Sequence, residues 1–410
     1  MSFCLSLISF AVASAYLPGI SNAANAPRWA IMSVVVPIFL WVLRRPLASS
    51  LDYGHALGAA LLIWAALSMW WTPSRWDGAD ALWHWLLLGG VFGLFAQIDD
   101  MRPVYIGFGL GVCASSALMA WQWLGAGAPL TGTVHMAYKW GLYHPGGLFG
   151  NSSFAGEAAA LAIVGALSRT CDDDKTLPVL ERFRRLKQDW LWWLLAAGCL
   201  PCLVLSGSRG GLFALGVVGL AWLWGRFKPL TVGLGCVGLA VLWDIAGSRT
   251  ALERFDIWAD TAQNLRLFGH GVGSFWVNFP NGATHTDTLA IRYDHAHNDF
   301  LEIAYEFGLC GVVLVGAIVA FALRHSLRMD RLVVVAFLAE ATVGFPTFTP
   351  ATAFLGVAVI GHICGGWYGL YGRLDRWGVG ALAAVPRARP DLERDLVGVR
   401  GRGKHVAAQP

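Results

Sequence analysis

The stretch from Asp294 to Gly308 reads Asp-His-Ala-His-Asn-Asp-Phe-Leu-Glu-Ile-Ala-Tyr-Glu-Phe-Gly and runs straight into an apolar block. The pattern predicts a helix start, with Asp294 as N-cap and His297 as the third helical residue. A helix N-terminus disfavours positive charge, so a histidine there stays neutral and can accept a proton as a general base. The same helix end attracts phosphate. Glu302 and Glu306 are four residues apart and share one face. They either orient a His or Arg or lie at the interface. A polar helix start with capping roles only is the plain alternative.

Two further stretches carry arginines. Ser206-Gly-Ser-Arg-Gly-Gly211 lies between two apolar blocks. An arginine at a membrane edge is costly unless it is paired or faces water. Its guanidinium fork matches phosphate oxygens, and the glycines permit close backbone approach. An ordinary turn whose Arg209 snorkels to the interface is the competing reading. Arg254-Phe-Asp-Ile-Trp258 is followed by Gly269, Gly271 and Gly273. Three glycines in five residues suggest a dinucleotide loop only inside a strand and βαβ unit, which this stretch lacks.

A softer feature is the run from Gly146 to Ala155, where Asn151 either caps the next helix or contacts a sugar. His270, His285, His295 and His297 raise the question of a metal. No HExxH pattern is present, and His295 and His297 would not share a helix face, so no metal is expected.

The elements that position these residues follow from composition. Of 410 residues, 56% are hydrophobic and 14% charged, against roughly a quarter charged in soluble proteins. The apolar residues fall in blocks of about 15 to 22, enough to cross a bilayer core as helix, and lipid leaves the backbone no alternative. The 21 Trp residues favour block edges, as interfacial belts do. The eight Cys lie mostly within apolar blocks, which argues against a disulfide framework. We therefore expect an all-α polytopic membrane protein with about twelve spans, near 3–20, 29–43, 55–71, 81–97, 104–125, 153–168, 190–206, 211–225, 229–246, 303–323, 332–349 and 351–371. The first run lacks an initial basic residue and reads as a retained helix.

With the N-terminus in the cytoplasm, twelve spans place 22 of the 30 Lys and Arg residues inside and 8 outside, as the positive-inside rule requires. Both termini are then cytoplasmic. The membrane domain covers residues 1–372, with a long periplasmic segment at 247–302 between spans nine and ten. A basic tail at 373–410 is expected to be disordered. Arg209, Arg254 and His297 fall on the periplasmic side, away from cytoplasmic nucleotides and nucleic acid.

In serial order the motifs are G-x-F-G-N before a span, S-R-G-G between two spans, R-x-x-x-W with G-x-G-x-F in the long segment, then H-x-H-N-x-x-L-x-x-x-x-E-x-G. This set, over about residues 145–315, resembles the O-antigen ligase and polymerase superfamily of bacterial surface-polysaccharide assembly. The resemblance implies an inner-membrane glycosyltransferase that moves a glycan from undecaprenyl diphosphate to lipid A-core or another glycan acceptor, inverting and without metal or cofactor. By position it implies catalytic roles for His297, Arg209 and Arg254. It implies substrate contacts for His295, Asn298, Glu306 and Asn151. Where relatives place another Arg before G-x-F-G-N, this chain offers Lys139 and His144. The motifs leave ligase and polymerase both open. A small-anion transporter is a rival of another class. Against it stand the absence of internal repeats and the scarcity of mid-span ionisable residues, with Glu340 the clear exception. A non-catalytic scaffold is a third.

Overall fold

A computed structural model describes residues 2–18, 22–42, 53–125, 137–139, 142–170, 189–224, 249–286, 293–326 and 328–376, with a few positions between 228 and 235. The chain divides into two units, Met1–Trp367 and Tyr368–Pro410, and the elements that build the site belong to the first. Most of the ninth expected span, 229–246, and the tail beyond 376 lie outside the described residues.

The helices are α1 Ser2–Ser14, α2 Asn25–Val42, α3 Tyr53–Ser68, α4 Arg75–Phe95, α5 Arg102–Trp123, α6 Ser152–Leu167, α7 Trp190–Ser206, α8 Arg209–Trp224, α9 Arg249–Gln263, α10 Phe275–Gly282, α11 Asp299–His325, α12 Arg328–Val343 and α13 Pro350–Arg376. Four of them, α2, α4, α5 and α11, are long and apolar enough to cross a membrane. Most of the others are shorter apolar helices. Expected spans one to eight and ten to twelve each have a helix here. Two ends are corrected: α1 stops at Ser14 rather than near residue 20, and α12 stops at Val343, so 344–349 is a turn.

The all-α expectation needs one small amendment. Strands β1 Ala137–Lys139 and β2 Leu142–His144 form an antiparallel hairpin, with Ala137 opposite His144. The segment between spans nine and ten is also not mere loop, because it contains α9 and α10. Both are amphipathic, and their apolar faces meet at Ile257, Phe275 and Phe279 against Tyr305 of α11. That burial is what turns a polar segment into a fixed element.

The core centres on α6. Its residues from Ala155 to Ala166 are all buried, as expected of a helix apolar all round. Small residues let neighbours approach closely. A Cβ at Gly156 would overlap Ser208, and one at Gly211 would overlap the carbonyl of Gly156. These contacts lock the start of α8 to the start of α6. Residues of α1, α2, α4, α5, α7, α8, α12 and α13 and Ala322 of α11 join this cluster. A second cluster joins α3 and α4 to α11 through Leu61, Trp85, Ile303 and Phe307. Outward-facing Leu7, Ile38, Trp41, Leu200 and Val204 are exposed, as lipid-facing side chains are.

Candidate active site

Four helix ends meet at one place: the starts of α6, α8 and α11 and the end of α12. Asn151 caps α6, its Oδ1 accepting from Ser153 N at 2.8 Å. The α8 start follows a left-handed Gly207, whose position faces the His144 ring. His144 donates from Nδ1 to Leu205 O at 2.8 Å. The cap of α11 is Asn298, not Asp294: Asn298 Oδ1 accepts from Leu301 N at 3.0 Å, and its Nδ2 donates to Thr342 O at 3.1 Å. Asp294 lies four residues earlier and is exposed. The Asn wins because its amide can serve the helix start and the end of α12 together, which a carboxylate cannot.

His297 is therefore not the third helical residue. It immediately precedes the cap, at φ 53°, the sole non-glycine with positive φ among the described residues. Such a conformation persists only where the surroundings hold it. Here the Ala296 peptide is held from both sides. Its N–H donates to Glu302 Oε2 at 2.9 Å, and its carbonyl accepts from Trp258 Nε1 at 3.0 Å. His295 donates from Nδ1 to Glu302 Oε1 at 2.9 Å. Glu302 thus orients a histidine, one of the two roles its spacing allowed.

The α9 helix is the clamp. Arg254 and Trp258 lie one turn apart on it. Trp258 holds the histidine loop, and Arg254 Nη1 donates to Val343 O at 2.8 Å, fixing the end of α12. Beyond Val343, the turn at 344–349 forms a wall. Phe345 stacks on His295 at 4.4 Å between centroids, lies 5.1 Å from His297, and meets Phe154 of α6 edge-on at 5.3 Å. Thr347 N donates to Asp299 Oδ2 at 3.0 Å.

Electrostatics separate the two histidines. Burial pushes His297 down from 6.5 to about 4, and the positive charges of Arg254 and His295 push the same way. Burial also opposes charge on His295, yet the Glu302 carboxylate, helped by Asp299 and Asp294, overcomes it and raises His295 above its ordinary value. The two neighbouring rings are pushed in opposite directions, as in acid–base sites whose environments separate paired groups. The neutrality of His297 has a different cause from the one expected: burial first, then Arg254 and His295 beside it, not a place inside the helix. Arg254 is itself held below its usual value by burial, with Arg209 acting the same way and Glu157 opposing. Arg254 thus feels Arg209 and acts on His297, so the three residues expected to do chemistry form one electrostatic group.

The glycine-rich stretch proves to be scaffold. The α11 helix kinks at Gly308, with φ 64° and ψ −159°, which frees successive carbonyls. Tyr305 O accepts from His270 N at 2.8 Å, Glu306 O from Gly271 N at 2.9 Å, and Phe307 O from Trp64 Nε1 at 2.9 Å. A side chain at Gly269 would overlap the Glu306 carbonyl. The Glu306 side chain is buried and its Oε1 accepts from Phe275 N at 3.2 Å. Lys139 sits on β1 opposite Leu142, and its side chain lies outside the described residues. His270 donates to Asn264 O at 2.8 Å, and His285 pairs with Asp260 at 2.8 Å. Among the described residues, no group of three or more His, Cys, Asp and Glu is placed to hold a metal ion.

Two contributors escaped the sequence reading. Phe345 carries no polar atom and gave no signal. Glu157 did give one: an acid in an Ala-rich apolar run is a functional candidate by default. It joins Glu340 as a buried acid within the helical bundle.

Fold and site together define an all-α, multi-pass membrane protein with a polar cluster gathered at one set of helix ends. Residues 194–316 match the family model described as O-antigen ligase. The chain thus carries an O-antigen ligase family domain over under a third of its length, from within α7 to the middle of α11. That segment includes Arg209, Arg254 and His297, while G-x-F-G-N lies before it. No curated protein matches the chain.

Proposed function

We propose that the protein is a glycosyltransferase that transfers a glycan from undecaprenyl diphosphate to lipid A-core at the periplasmic face of the inner membrane. About twelve spans with both termini inside, as charge counting favours, put the site on that face. The observation that carries the reading is the electrostatic group itself. Arg254 feels the charge of Arg209 and acts on His297, which burial and Arg254 keep neutral.

The chemistry follows from those charges. Arg209 and Arg254 bind the diphosphate and neutralise the charge that grows as it leaves. His297 takes the proton from an acceptor hydroxyl. The hydroxyl oxygen forms its bond to the anomeric carbon as the bond from that carbon to the diphosphate breaks, so the configuration inverts. The products are the lengthened acceptor and undecaprenyl diphosphate. His295, paired with Glu302, keeps the His297 loop in register, and no metal is required. Asn151, Asn298, Glu306 and Lys139 line or support the substrate path in this reading.

The test is transfer by purified protein from an undecaprenyl-diphosphate-linked glycan to candidate acceptors, with and without a chelator. His297→Ala is expected to abolish transfer while the protein still folds and inserts. Full activity in that variant rejects the assignment. Lipopolysaccharide banding in a deletion strain separates the two reactions of the superfamily. Unligated chains mark a ligase, and single-repeat chains mark a polymerase.

A further inference from the structure

Glu157 occupies the second turn of α6, 5% exposed, in a run of Ala, Gly, Leu, Ile and Val. Its Oε1 lies 2.9 Å from where a Cβ at Gly210 would stand, and 3.1 Å from one at Gly344. Gly210 follows Arg209. Gly344 follows Val343, whose carbonyl holds Arg254 at 2.8 Å. The carboxylate is therefore wedged between the stretch that carries Arg209 and the stretch whose carbonyl holds Arg254. Both stretches lack a Cβ where the acid needs room. Its charge acts on Arg254 in opposition to that of Arg209.

Two like charges in a half-buried place repel each other, and burying them without a counter-ion is costly. One fixed carboxylate offsets one of them while the site is empty. A diphosphate then meets one net positive charge from this trio, not two. Binding that is strong in the ground state does not speed a reaction, and a spent carrier held too tightly slows turnover. A carboxylate beside the arginines limits that grip.

We propose that Glu157 is a positioning residue that serves as a fixed counter-charge, loosening the hold of Arg209 and Arg254 on a lipid diphosphate so that the spent carrier leaves. The proposal rests on reading those two arginines as diphosphate ligands.

The probe is farnesyl diphosphate, whose affinity is measured on the full chain in lipid nanodiscs. Glu157→Gln is expected to bind it more tightly, on the order of tenfold, with KM and kcat for transfer both lowered. Glu157→Asp, which keeps the charge but withdraws it by one methylene, should fall between. Arg209→Ala should bind more weakly. If Arg209→Ala leaves affinity unchanged, the diphosphate reading fails. If Arg209→Ala weakens binding but Glu157→Gln binds equally or less tightly, the counter-charge proposal alone is overturned, because a merely structural acid would loosen the site when lost. Should Glu157→Gln fail to insert, Glu157→Asp decides: tighter binding supports the proposal, and equal or weaker binding overturns it.

Discussion

His295 Nδ1 lies 2.9 Å from Glu302 Oε1, and the other oxygen of the same carboxylate accepts from the next peptide N–H, that of Ala296, at 2.9 Å. A single acid from the first turn of α11 thus ties down the two residues before His297. The left-handed backbone at His297 is a consequence of that tether and of the Trp258 bond on the far side.

Removing the tether should therefore act on chemistry more than on donor binding. Glu302→Ala is expected to lower kcat by about a hundredfold, the scale of a misplacement near one ångström, with the donor KM little changed. Steady-state kinetics of glycan transfer measure this. An unchanged kcat would mean that His297 holds its place without Glu302.

The depressed pKa of His297 sets a pH dependence. A base with a folded value of about 4 is already neutral at higher pH, and loses its proton-accepting form only as pH falls through that value. The acid limb of kcat/KM should lie near 4, well below the ordinary 6.5. Arg254→Gln removes a positive charge that lowers the value, so the limb of its residual activity should move up. A limb at or above 6.5 in the unaltered protein rules out this environment for the base.

Gly308 is needed for its backbone. At φ 64° an added Cβ would overlap the carbonyl of Leu267 and the amide of Gly269. Gly308→Ala should cost at least about 1–3 kcal/mol for the conformation alone, read as a fall in thermal midpoint in detergent. Gly316→Ala is the control on the same helix. Nothing lies within 4 Å of its added Cβ, and alanine favours the helix. A Gly308→Ala protein as stable as the control would show that the kink is dispensable.

Glu340 is fully buried, and neither carboxylate oxygen has a hydrogen-bond partner among the described residues. An unsatisfied buried polar group costs about 1–3 kcal/mol, so Glu340→Met should raise the thermal midpoint. A lower midpoint would indicate that the acid has a structural partner after all.

The sequence alone determined the parts that depend on neighbours along the chain. Apolar blocks of bilayer length must be helices, because lipid satisfies no backbone group. Their basic flanks favour one arrangement of sides. The spacing of Glu302 and Glu306 fixed a shared face. Arg209, Arg254 and His297 stood out through the short motifs that hold them, S-R-G-G, R-x-x-x-W and H-x-H-N. What local pattern misjudged was the start of α11. Asp294 and Asn298 are both good caps by type, and the choice fell to Asn298 because its amide also reaches Thr342, 44 residues away. The same holds for the site as a whole. Arg254 meets a carbonyl 89 residues on, and Glu157 fits against one glycine in α8 and another in the turn after α12. Phe345 stands beside two histidines it never neighbours in sequence. Only the packing of four helix ends brings such groups together. The charge of Arg254, the burial of His297 and the acid at Glu157 become one arrangement through that packing, and no spacing along the chain encodes it.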